Sequence, residues 1–102
     1  MMFVPTFIKT ENQLNKILKQ QKKTGEEVNL LFVSLWDGWC DALVNKLKGN
    51  KKGKRVYIVN TFDTPHASVI FDSFKLPQLV KVKGNNKEIE EYLPRIYKFL
   101  GI

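Results

Sequence analysis

Apolar residues along this chain change their spacing several times, and each change marks a predicted element. After an initial Met-Met-Phe-Val, the stretch PTFIKT is short and β-prone. From Glu11 onward Leu14, Ile17 and Leu18 recur at helical spacing, and the polar run to Lys23 continues the helix as exposed surface until Gly25 stops it. VNLLFVSLW is almost continuously apolar, as expected of a central strand covered on both faces. Beyond Cys40, Leu43, Val44 and Leu47 share one face, so a short helix follows that strand and ends near Gly49. RVYIVNTF reads as a strand. Pro65 and HASVIFDSF read as a helix starting near Thr64 or Pro65, where proline is tolerated in the first turn. LPQLVKV is a fourth strand entered through Pro77.

The end of the chain admits two readings. GNNK carries the asparagines of a tight turn, which lets KEIEEYL return as an antiparallel fifth strand before a short helix opened by Pro94. Alternatively, Ile89, Tyr92, Leu93, Ile96, Tyr97 and Leu100 fit one face of a single helix from about Lys87 to Leu100. An interior proline costs a helix on the order of 3 kcal/mol, so the hairpin and short helix are preferred. Either ending gives an α/β or α+β sheet protein.

Composition bounds the function. With 102 residues, 43% of them apolar, seven Phe and two Trp, the chain fits one domain spanning residues 1–102 with one core. No run approaches the roughly 18 apolar residues of a membrane span, and the N-terminus lacks the apolar centre of a secretory signal. These features predict a cytoplasmic monomer with no membrane contact. A single cysteine excludes an internal disulfide and a cysteine-based zinc site, and with one histidine, His66, neither a metal nor a cofactor is expected.

The net charge of +7 is unevenly spread, with KLKGNKKGKR, Lys46 to Arg55, as the densest basic run. Such a run attracts acidic partners or nucleic acid through salt-sensitive phosphate contacts. No Phe, Tyr or Trp lies between Lys46 and Arg55, however, so a solvated loop is the simpler reading.

The remaining signal is W-x-x-W-C at Trp36, Asp37, Gly38, Trp39 and Cys40. It follows an apolar strand and precedes a helix, a D-x-P turn at Asp63 to Pro65, and a strand entered at Leu76-Pro77. This arrangement resembles thioredoxin over most of the chain. The resemblance implies a thioredoxin-like fold, a central four- or five-stranded mixed sheet flanked by helices. It matches Cys40 to the family's nucleophilic cysteine, Trp39 to the tryptophan that shapes the surface around it, and Trp36 to a buried aromatic behind the site. Leu76 and Pro77 match the pair facing the thiol, where a cis-proline is expected and the backbone before it pairs with a bound peptide.

Departures are equally specific. The family's C-x-x-C is C-D-A-L here, so Leu43 stands at the resolving-cysteine position and Ala42 at that of the intervening proline. Ser34 replaces the buried acid that serves the resolving thiol, and ordinary dithiol reduction is not expected. Exchange chemistry needs a thiolate. A helix N-terminus favours one at Cys40, while Asp37 and Asp41 oppose it with like charge, which predicts modest activation. Attack by Cys40 on a partner disulfide would give a mixed disulfide, resolved by glutathione or a substrate thiol.

Bland alternatives stand beside each of these readings. A free cysteine is often a small buried hydrophobe. Trp36 and Leu43 are expected in the core, Trp39 on the surface, His66 in a solvated turn and Ser34 as a satisfied hydroxyl. Two function classes follow: monothiol thiol-disulfide exchange through Cys40 in cell redox chemistry, or a redox-inactive protein-binding module using Trp39, Leu76 and Pro77.

Overall fold

A computed structural model of the chain describes residues 6–34, 37–49, 56–64 and 76–101. Five strands, β1 (Thr6–Ile8), β2 (Val28–Val33), β3 (Tyr57–Asn60), β4 (Gln78–Lys83) and β5 (Asn86–Glu90), form one mixed sheet in the order β1-β3-β2-β4-β5. β3 runs parallel to both β1 and β2, while β4 is antiparallel to β2 and to β5. The apolar stretch VNLLFV takes the middle of the sheet because it can be buried on both faces. Leu31 and Val33 point into one core cluster, and Leu30 and Phe32 into the other.

The three described helices divide between those faces. On one side, Leu14 of α1 (Glu11–Thr24), with Ile17 and Leu18, packs against Leu30, Phe32, Val59 and Val80. On the other, α2 (Gly38–Gly49) contributes Leu43, Val44 and Leu47, and α3 (Leu93–Leu100) contributes Ile96 and Leu100.

Local chemistry sets the ends of α1. Thr10 accepts the Gln13 N–H at 3.1 Å and Gln13 Oε1 accepts the Lys9 N–H at 3.0 Å, a reciprocal cap, while Gly25 closes the helix at φ +73°. Pro94 falls in the first turn of α3, where its missing N–H costs nothing. The chain therefore ends in a hairpin and a short helix, not in one helix from Lys87. The hairpin loop is two residues, Gly84-Asn85, with Gly84 at φ +60° and Lys83 paired with Asn86.

One polar device ties the two halves together. Gln21, buried in the last turn of α1, donates Nε2–H to the Gly84 carbonyl and accepts the Gly84 N–H at Oε1, both at 2.9 Å. A buried amide left unpaired would be destabilising, and here both of its functions are satisfied by one turn. The helix expected near Thr64 or Pro65 lies outside the described residues.

Candidate functional site at the strand ends

Strands β3, β2 and β4 lie side by side, and the chain segments beyond β3 and β2 and before β4 meet at one end of the sheet. Asp37 organises the link from β2 to α2. Its N–H donates to the Ser34 carbonyl at 3.0 Å, and its Oδ1 accepts the N–H groups of Trp39 at 2.8 Å and Cys40 at 3.3 Å. Asp37 is thus the N-cap of α2, a role its placement before an apolar helix would have signalled. Sequence reading credited it with like charge only.

Cys40 and Trp39 are neighbours with opposite fates. Cys40 stands in the first turn of α2, as its place at the strand-to-helix junction predicted, yet it is 0% exposed and packed into the cluster of Leu31, Val33, Leu43 and Leu79. Burial pushes its thiol up from the ordinary value of 9.0. A hydrogen bond with the Ser34 backbone pulls it down, and the Asp37 carboxylate adds to the rise. The expectation of a modestly activated thiol is corrected, and of the two readings of Cys40 the structure has the buried one. The amides that would stabilise a thiolate are already bonded to a carboxylate.

Trp39, one residue earlier, is 70% exposed. Leu43, three residues after the cysteine, is buried and fills core volume, as expected. Phe62, in the turn after β3, is 73% exposed. Sequence reading assigned it to the strand itself, but β3 stops at Asn60, whose side-chain oxygen receives the Phe62 N–H at 3.4 Å. β2 and β3 are still joined beyond their last pair, through Thr61 N–H to Val33 O at 2.9 Å, so the turn carrying Phe62 and the start of α2 carrying Trp39 follow adjacent strands.

On the far side of β2, Phe32 pairs with Gln78, so Leu76 and Pro77 immediately precede the end of this ladder. The Leu76-Pro77 peptide bond is cis. Leu76 is half-buried against the cluster that holds Cys40, and Pro77 is buried, so the proline lies beneath this end rather than offering itself for contact. Gln78, also buried, donates Nε2–H to Glu91 Oε1 at 3.1 Å. Trp36 and His66 lie outside the described residues, as do Leu35 and residues 50–55.

The described part of the basic run is spoken for within the fold. The Lys46 ammonium lies 5.0 Å from the centre of the Tyr97 ring and that of Lys48 5.3 Å from the Phe7 ring. Among the described residues no group of three His, Cys, Asp or Glu is arranged to hold a metal, and no helix is long and apolar enough to cross a membrane.

Solved structures of the same architecture exist. Thioredoxin NaTrxh from Nicotiana alata superposes with a TM-score of 0.77 at 12% identity, covering 96% of this chain and 90% of that one. The fold is thioredoxin-like. Fasciola hepatica thioredoxin gives 0.73 at 16% identity over 94% of this chain and 96% of that one. Oxidised thioredoxin O2 from Arabidopsis thaliana gives 0.72 at 18% identity over 95% and 94%. No protein-family model matches the sequence, and no curated protein matches it. The thioredoxin-like fold of this chain therefore comes with a site in which the tryptophan is presented and the thiol is enclosed.

Proposed function

We propose that the protein is a thioredoxin-fold binding module that recognises protein partners at the strand-end face of Trp39, Phe62 and Leu76, with Pro77 as its floor and Cys40 as core. The observation that carries this reading is the contrast between adjacent residues, an aromatic ring mostly in solvent beside a thiol that is fully enclosed. Large aromatic side chains left in solvent lose area that burial would reward, and partner surfaces commonly use them as anchors. Asp37, Asp41 and Asp63 are exposed at the same end, on a chain whose net charge is +7. Carboxylates beside aromatic rings suit an extended segment carrying Lys or Arg, through ion pairs and cation–π contact.

A fluorescence-anisotropy titration of labelled, disulfide-free extended peptides, with and without Lys and Arg, tests the reading. Saturable binding of the basic peptides, lost in Trp39→Ala and kept in Cys40→Ser, supports it. Binding that survives Trp39→Ala and disappears in Cys40→Ser overturns it.

Monothiol exchange is the second reading, favoured by the position of Cys40 in the first turn of α2 and by its hydrogen bond with the Ser34 backbone. Cys40 would lose its proton to solvent and its thiolate would attack one sulfur of a partner disulfide. The partner's S–S bond breaks as a new one to Cys40 forms, and the other sulfur leaves as thiolate. An external thiol such as glutathione would then release the product. This route requires the core around Cys40 to open. A mass shift from glutathione disulfide on the native protein within minutes near pH 7 would support it, and none after hours would remove it.

A further inference from the structure

The lysines of α1 take no part in either reading, yet they are regularly arranged. At about 100° per residue, Asn12, Asn15, Lys16, Lys19, Lys22 and Lys23 fall on one side of α1, opposite the buried Leu14 and Gln21, and all six are exposed. Asn12, Asn15, Lys16, Lys19 and Lys22 line one shallow depression together with the half-buried Leu18. Among the described residues none of these four lysines has an ion-pair partner or a ring beneath its ammonium, unlike Lys46, Lys48 and Lys81. Glu11 is the one acidic residue in the helix, at its first position.

We propose that this outer face of α1 docks on the phosphate backbone of duplex DNA. Charge complementarity sets the sign of the partner, since four unpaired ammonium groups on one helical stripe match a regular array of phosphates. The residue types select its class. Protein interfaces are depleted in Lys and rest on apolar or aromatic anchors, whereas the exposed side chains of this stripe are Lys and Asn, donors suited to phosphate oxygens and groove edges, and its one apolar neighbour, Leu18, is half-buried against the core. A single strand would call for aromatic rings to stack its bases, and the stripe has none. The major groove of B-form DNA admits an α-helix, and that of A-form RNA does not.

The test is fluorescence anisotropy with a labelled DNA duplex of about 20 base pairs, titrated with the full chain over a range of salt. Changing Lys16, Lys19, Lys22 and Lys23 together to Gln is expected to weaken binding at least about tenfold and to flatten the dependence of log affinity on log salt by about 3. The same four positions as Arg should retain binding. An equal charge change placed at Lys46, Lys51, Lys52 and Lys54 controls for net charge, and a loss there matching or exceeding that of the α1 variant overturns the assignment. Polyglutamate that displaces the duplex at equal charge concentration would also overturn it, in favour of an acidic protein partner. So would a single strand that binds more tightly than the duplex.

Discussion

Gln21 and Trp39 invert the usual places of their side chains, and they do so at opposite ends of the molecule. Gln21 is polar and 2% exposed, and both ends of its amide are bonded to Gly84, so its burial joins α1 to the β4–β5 hairpin. Trp39 is apolar and 70% exposed, held by a backbone cap that concerns only its N–H. At the hairpin end the buried amide is satisfied from within the chain. At the strand end the fold explains the buried Cys40 and Leu43, and leaves the exposed ring of Trp39 to be explained by something outside the chain.

The largest effect should come from the core beneath the strand end. Leu43→Ala removes a fully buried side chain and should cost about 3 kcal/mol in denaturant unfolding. A cost under about 1 kcal/mol would mean this helix face is not packed as described. At the hairpin end, Gln21→Ala leaves both Gly84 groups unpaired and should cost about 2 kcal/mol. Hydrogen exchange at the Gly84 amide should then accelerate more than at the centre of β2, and equal acceleration at both would contradict a local clamp.

Asp37→Ala should cost about 1 kcal/mol through the lost cap. It should also lower the thiol pKa of Cys40, because a carboxylate that raises it has gone. An unchanged or higher thiol pKa in an alkylation pH series would break the link between cap and thiol. Linkage gives a related pH effect. A thiol whose pKa is raised by folding stays protonated in the native state while the unfolded chain ionises, so its contribution to stability is complete below the ordinary value of 9.0 and declines above it. The stability advantage of the native protein over Cys40→Ala should therefore shrink as pH rises past that value.

Trp39→Ala should have the smallest effect on stability, within about 0.5 kcal/mol, because the ring is mostly in solvent. A loss comparable to that of Leu43→Ala would make Trp39 a packing residue and erase the contrast between the two ends.

The sheet was legible because its central strand is almost continuously apolar and Pro94 forbids a long terminal helix. Leu43 was legible because helical spacing put it on the inner face. Burial of Cys40 was not, since a helix N-terminus and a buried helix face coincide at that position and spacing alone does not rank them. Phe62 was missed because an aromatic at the end of an apolar run reads as one more strand residue. The Gln21–Gly84 bond was invisible because it joins residues 63 positions apart.

The accessibility of one sulfur tests the central claim most directly. Alkylation of Cys40 in the native protein, followed by mass against pH and compared with the same chain in denaturant, should be at least about a hundredfold slower in the native state near pH 7, with the native thiol titrating above its unfolded counterpart. Native alkylation as fast as in denaturant, or a thiol titrating below about 8, would contradict an enclosed cysteine and return the site to exchange chemistry.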